Sequence, residues 1–346
     1  NEPVQQSVQQ PVNKPVQQSV QQSVNESVQE TTELCDEAAR CGSLHLLQYF
    51  LNNGHKFSIN AGIYATENNH FEVLKFLHSR DCELHANTFA AAASKGSIDM
   101  MIWLKNNKCP LNSLATRYAA INNRFDNLRW LRANKCPWDE SVCINAAKNN
   151  NLEILTWAYN NGCPWDKRVT MFATLNENYD MLQFCKENKC SFYENLCVIA
   201  VKNNNLNLLK WLIENECPWD SSVMARAAME NNLEILKWCY DNGCKLDATV
   251  TASAALYGNL EILALLIRSK CPYDESMGNY ATINNQQKVM EWIIDNNLEF
   301  NKKKCLKVAA ELNQFDMIKL IISKVYKKVN VSSLIELKIS LDTIKK

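Results

Sequence analysis

Glycine and proline are scarce, with 8 of each in 346 residues. Glycine-rich phosphate loops and folds built from many tight β-turns are therefore not expected. No run of about 18 apolar residues occurs, so no membrane span is expected. No G-x-S-x-G, G-x-x-x-x-G-K or H-E-x-x-H sequence is present. Without such a nucleophile, phosphate loop or metal helix the chain is not expected to be an enzyme. No N-terminal stretch joins a charged region to an apolar core, so a secretory signal is not expected. The 15 cysteines include no C-x2-C pair, and zinc-finger spacing is missing with it. These thiols are read as reduced, which places the chain in a cytoplasm-like compartment. No cofactor and no metal are expected.

Charge of one sign is also lacking, since 37 basic residues balance 37 acidic ones. A strongly basic chain would point to nucleic acid, and this one does not. The balance hides an asymmetry. Residues 301–346 carry 11 Lys and 4 acids, whereas the remaining 300 residues carry 26 basic and 33 acidic side chains. The plainer reading of the basic end is a solvated cap. The sharper one is a site for an acidic or phosphate-bearing partner.

What is present is repetition of two kinds. Residues 3–30 fall into seven tetrads of the form PVQQ, SVQQ or SVNE. One small apolar residue in four buries too little surface to offset chain entropy, so residues 1–30 are expected to be a disordered tail. The second repeat is longer. Cysteines stand at 82, 109, 136, 163, 190, 217, 244 and 271, every gap being 27. Ten positions after each cysteine stands an alanine, from Ala92 to Ala281. Twenty-one positions after each stands Trp103, Trp130, Trp157, Phe184, Trp211, Trp238, Leu265 or Trp292. A period held over so many steps is the mark of identical units stacked in a row.

One unit, residues 136–162, shows how each is expected to fold. Asp139 is placed to cap a first helix, and Val142, Cys143 and Ala146 give that helix an apolar face. Asn149 and Asn150 end it, because asparagine tolerates the left-handed turn that otherwise favours glycine. Asn151 caps a second helix, whose Glu153 complements the helix dipole. Leu152, Ile154, Leu155 and Trp157 form the apolar side of this helix. The alanine column is expected where helices approach most closely. The Trp column is expected to fill the space between helix layers, each buried indole removing about 150–250 Å² from water. No strand pattern appears.

Segments such as A-A-K-N-N-N-L-E-I-L-T-W (146–157) and A-A-M-E-N-N-L-E-I-L-K-W-C-Y-D-N-G-C (227–244) resemble ankyrin repeats. Gly162-Cys163-Pro164-Trp165-Asp166 sits where that family has G-A-D-V-N. The repeat here is 27 residues rather than about 33, and the T-P-L-H opening is absent. The resemblance implies an all-α, ankyrin-like helical-repeat solenoid of about eleven helix-turn-helix units with short or absent β-hairpins. It covers residues 31–325, followed by a C-terminal cap or basic tail over 326–346. In style the repeats look like ankyrin proteins of large amoeba-infecting DNA viruses and some protists, which implies a host protein as partner.

The resemblance implies a non-catalytic protein–protein interaction scaffold, with first helices side by side on a concave face. Variable positions there are the candidates for partner binding: Arg117, Tyr118, Ile121, Asn145, Lys148, Phe172, Leu175, Arg226, Met229, Tyr280 and Ile283. Several are apolar or aromatic where a solvated face would be polar, and aromatics and Arg are favoured anchors. The competing reading of each is packing between adjacent first helices. The alternative function is a nucleic-acid-binding helical repeat, which needs basic and stacking residues in register on the inner face. All five histidines, His45, His55, His70, His78 and His85, fall around Cys82. A metal site there is set against ordinary substitution, which His55 and His70 favour because their repeat positions hold Cys and Asn elsewhere.

Overall fold

The computed structural model describes residues 32–325, apart from Gly96 and Glu194. The expected N-terminal tail (1–30) and basic C-terminal tail (326–346) lie outside the described residues. The described chain is helical throughout, in eleven helical hairpins, and no strand occurs among the described residues. It divides into two compact units between Asp166 and Lys167.

In the first unit the first helices of the hairpins are α1 (32–40), α3 (Ala61–Glu67), α5 (Ala86–Lys95), α7 (Ser113–Ile121) and α9 (Ser141–Lys148). Their second helices are α2 (Leu44–Asn52), α4 (Phe71–Ser79), α6 (Ile98–Asn106), α8 (Phe125–Ala133) and α10 (Leu152–Asn160). In the second unit the first helices are α11 (Arg168–Leu175), α13 (Asn195–Lys202), α15 (Ser221–Met229), α17 (Ala248–Tyr257), α19 (Ser276–Ile283) and α21 (Lys302–Glu311). The second helices there are α12 (Tyr179–Glu187), α14 (Leu206–Glu214), α16 (Leu233–Asp241), α18 (Leu260–Arg268), α20 (Gln287–Asp295) and α22 (Phe315–Val325). Loops of six to eight residues link one hairpin to the next, so the β-hairpin finger is reduced to a turn.

Among the described residues most hairpins are closed by two left-handed residues, one after each helix. After the first helix of 136–162, Asn150 has φ +58. Its N–H bonds the Ala147 carbonyl (2.9 Å), and the next N–H, of Asn151, bonds that of Ala146 (2.9 Å). This is a Schellman closure, and it satisfies carbonyls the helix end would otherwise orphan. Asn151 then turns its side chain to the Ile154 N–H (2.9 Å) and opens α10. Asn205 and Asn232 do the same for α14 and α16. The second helix ends identically: Gly162 has φ +79, and the Cys163 N–H reaches the Ala158 carbonyl (3.0 Å). At Gly258 (φ +79) a Cβ would meet only the far end of the Gln286 side chain, which can turn aside, so it is the left-handed backbone that favours glycine there.

The alanine column runs the length of both units. Ala92, Ala119, Ala146, Ala173, Ala200, Ala227, Ala254 and Ala281 are all buried, and Ala65 and Ala309 extend the series. From α3 to α9, and again from α11 to α21, neighbouring first helices bring Cα atoms within 8 Å. Only small side chains permit that approach. Most neighbouring second helices stand further apart. Between them lies the Trp column, which is half-buried rather than buried. These indoles meet aromatic edges instead of filling a closed core: Phe71 against Trp103 (5.9 Å), Phe125 against Trp157 (5.4 Å) and Tyr179 against Trp211 (5.9 Å). The loop residue Trp138 also meets Trp157, at 5.7 Å.

The cysteine ladder has a specific task. Six of its thiols donate to the carbonyl 24 residues back, at the start of the preceding hairpin. Cys109 reaches His85 (3.2 Å), Cys136 reaches Asn112 (3.3 Å) and Cys163 reaches Asp139 (3.3 Å). In the second unit Cys217 reaches Tyr193 (3.4 Å), Cys244 reaches Asp220 (3.3 Å) and Cys271 reaches Asp247 (3.6 Å). A small apolar side chain with one weak donor fits a buried site that offers one carbonyl.

Candidate functional site

The candidate residues all sit on first helices. In the first unit Arg117, Tyr118 and Ile121 lie on α7, and Asn145 and Lys148 on α9. In the second unit Phe172 and Leu175 lie on α11, Arg226 and Met229 on α15, and Tyr280 and Ile283 on α19. They fall into two columns on the 27-residue period. Tyr118 and Asn145 share one column in the first unit, as do Phe172, Arg226 and Tyr280 in the second. Ile121 and Lys148, and then Leu175, Met229 and Ile283, share the other. Arg117 stands one place before the first column.

Exposure separates these residues from the core beside them. Tyr118, Ile121, Leu175, Tyr280 and Ile283 are each between 39% and 44% exposed, and Lys148 is exposed too. Asn145, Phe172, Arg226 and Met229 are half-buried. The same columns hold residues absent from the candidate set: Ile199, Lys202, Ser253 and Leu256 in the second unit, and Tyr64, Glu67, Ala91 and Ser94 in the first. Stepping each column by 27 would have found them.

Two of the cationic candidates are engaged within the chain. Arg117 donates from Nε to the Ser141 hydroxyl (3.2 Å) and from a terminal nitrogen to Asp139 (3.1 Å). Arg226 pairs with Glu230 one turn on (3.2 Å). Asp139 also accepts the Ser141 N–H (3.0 Å) and so caps the helix as the sequence suggests. Burial pushes the Asp139 carboxyl up, but the bonds from Ser141 and Arg117 outweigh it and hold the group below the usual carboxylate range.

Two clefts open on the first-helix face. One, of about 220 Å³, is lined in the first unit by Ala90, Ala91, Ser94 and Tyr118 among others. The other, of about 240 Å³, is lined in the second unit by Ala248, Ala252, Leu256, Asp274, Ser276 and Tyr280 with their neighbours. In both, a small residue of the first column (Ala91 or Ser253) is followed one repeat later by a tyrosine (Tyr118 or Tyr280).

The metal-ligating side chains are spread along the described residues. No group of three or more His, Cys, Asp or Glu side chains there is placed to hold a metal ion. The histidines are dispersed to separate contacts: His70 to the Arg40 carbonyl (3.1 Å), His78 to the Cys82 carbonyl (3.4 Å) and His55 against the Phe50 ring (5.5 Å). Burial pushes the thiols of Cys136, Cys244 and Cys271 up to about 11 and that of Cys109 up to about 12. They are protonated at neutral pH, unlike nucleophiles or metal ligands. At the basic end Lys324 bridges to Glu291 and Asp295, at 2.8 Å each.

Residues 197–277 match the family of ankyrin repeats, in 3 copies. Residues 197–277 carry ankyrin repeats. The matched segment spans α13 to the start of α19, and the hairpins on either side keep the same period. No curated protein matches the sequence. Among solved structures, the pentatricopeptide repeat protein PPR10 from maize is 11% identical with a TM-score of 0.41, over 95% of this chain and 57% of that one. PPR10 in complex with an 18-nt psaJ RNA element is 10% identical with a TM-score of 0.37, over 84% of this chain and 58% of that one. The chain spans under three fifths of the length of these structures, and at such scores neither bears on what the ankyrin repeats here bind. No helix among the described residues is long and apolar enough to cross a membrane.

Proposed function

We propose that the first-helix face binds a partner protein and that the chain is a non-catalytic interaction scaffold. The observation that carries this is exposed and half-buried apolar and aromatic surface in register. Tyr118 and Ile121 in one unit, and Phe172, Leu175, Met229, Tyr280 and Ile283 in the other, stand on columns whose inward neighbours are buried alanines. A row of apolar side chains spaced one repeat apart suits a partner surface better than it suits water. Nucleic acid is the weaker reading, because the same columns carry few cations and Arg226 already pairs with Glu230. The partner is a host protein if the likeness in repeat style to viral ankyrin proteins extends to function. A cytoplasm-like compartment is supported by the thiol ladder, which must stay reduced to donate its hydrogen bonds.

The test is affinity capture with the full chain from extracts of its cell of origin, read by mass spectrometry. The Phe172→Ala/Arg226→Ala double variant is expected to lose the captured protein. A second-helix control, Tyr240→Ala, is expected to keep it. Undiminished recovery with the double variant removes this face, and nucleic acid as the sole captured species replaces the protein reading.

A further inference from the structure

The cleft of the second unit is an unfilled copy of a place that the first unit fills with its own arginine. Positions 252, 274 and 276 lie 135 residues, five repeats of 27, after 117, 139 and 141. Asp274 and Ser276 thus repeat Asp139 and Ser141, the two residues that hold the Arg117 guanidinium at 3.1 and 3.2 Å. Where Arg117 stands in the first unit, the second has Ala252, and the cleft lies over it.

A second substitution keeps the carboxylate available. One repeat earlier, Asp247 is closed off by the Ser221 hydroxyl of the preceding hairpin. The residue in the Ser221 place before Asp274 is Ala248, which has no donor. Among the described residues Ser276 alone donates to Asp274, through its N–H at 2.8 Å and through its side chain. Hydrogen bonds from Ser276 hold the Asp274 carboxyl below the usual carboxylate range, so it is anionic at neutral pH. The cleft of about 240 Å³ is about eight times a water's share of liquid volume, about 30 Å³, which leaves room for a guanidinium and its methylenes.

We propose that this cleft receives an arginine side chain presented by the partner protein. Asp274 and Ser276 take the guanidinium as Asp139 and Ser141 take that of Arg117. Ala252 and Leu256 lie along the methylenes, and the Tyr280 ring offers a π face at the rim. The cleft of the first unit does not share this chemistry, because Lys95 lines it together with its one carboxylate, Glu67, and Asn112 stands in the Asp274 place. The binding-scaffold reading enters only as the source of the arginine.

The test is a methyl-NMR titration of the full chain, labelled at alanine and leucine, with N-acetyl-arginine methylamide. The neutral isostere N-acetyl-citrulline methylamide is the control. Saturable shifts at Ala252 and Leu256 are expected with the arginine probe alone, with a dissociation constant on the order of 10 mM for so small a ligand. Asp274→Asn is expected to weaken binding about fivefold, as an exposed ion pair allows. Ala252→Arg is expected to fill the cleft from within, to melt no lower than the parent and to abolish the shifts. Equal shifts with the citrulline probe, or parent-like binding in Ala252→Arg, would overturn the proposal. No partner protein enters the titration. Its failure therefore removes the cleft and leaves the scaffold reading, whereas a failed capture beside a successful titration removes only the scaffold reading.

Discussion

The two helix rows of each unit use opposite side chains for the same purpose. First helices meet through alanine, with backbones close and nothing between them but methyl groups. Second helices stand apart, and half-buried indoles and phenyl rings bridge the gap. In the first row, adding one side chain forces helices apart and the error passes to both neighbours. In the second, removing a side chain leaves a gap already open to water on one side. The first row is therefore intolerant of gain and the second of loss, and the first should be the more sensitive.

The sharpest way to break this comparison is Ala146→Leu set beside Trp157→Ala. Leucine at a fully buried alanine overpacks the α7–α9 contact and is expected to cost about 3 kcal/mol, the upper part of the usual range for such insertions. Truncating the half-buried Trp157 is expected to cost about 2 kcal/mol, below the values for buried indoles. Urea unfolding of the two variants and the parent measures both. A larger loss for Trp157→Ala would reverse the ranking of the rows.

The thiol ladder ties adjacent hairpins together in both units, and pH sharpens its role. Burial raises the thiols of Cys109, Cys136, Cys244 and Cys271 to about 11 or 12, above the value of about 8.5 for a thiol in an unfolded chain. Between these values the unfolded chain releases protons that the folded chain keeps, so stability falls as pH rises. The stabilisation is complete below pH 8.5 or so and drains away through pH 11. Melting temperature is expected to be flat from pH 7 to 8 and to drop steeply from about pH 9. Cys109→Ala/Cys136→Ala is expected to start lower and to drop less steeply. A parallel curve for that variant would assign the alkaline lability to other groups.

Much of this was legible from spacing alone. The hairpin boundaries, the asparagine cap of α10 and the buried alanine column follow from a 27-residue period, because a side chain repeated at a fixed phase must meet the same neighbour each time. The Trp column kept its period but not its burial. Periodicity places Trp157 on the α10 face that meets Phe125 of the preceding hairpin, yet it is silent on how far apart the second helices stand. The pairing of Arg117 with Asp139 was hidden for a different reason. The sequence reads Arg117 as a candidate partner contact and Asp139 as a helix cap, and their meeting depends on a reach of 22 positions across a turn. The cleft at Ala252 was hidden with it, since an alanine is informative only once the side chain it replaces is known.

The left-handed residues allow the finest test. After the second helices the turn position is held by Gly54, Gly162 and Gly243, but elsewhere by Asp81, Lys108, Lys135, Lys189, Glu216, Lys270 and Asn297, all at φ between +51 and +65. The backbone hydrogen bonds are the same in each, Lys135 N–H to Arg132 (3.0 Å) and Cys136 N–H to Leu131 (3.0 Å) matching those at Gly162. What differs is a Cβ in the left-handed region, which costs a non-glycine residue about 1 kcal/mol, part of it offset by the entropy glycine loses on folding. Lys135→Gly is therefore expected to stabilise the chain by about 0.5 kcal/mol, and Lys108→Gly/Lys135→Gly by about twice that, since the sites share no partner. Thermal melts of the single and double variants measure the gain. A fall in both would mean that the exposed lysine stems stabilise the turn more than the left-handed backbone strains it.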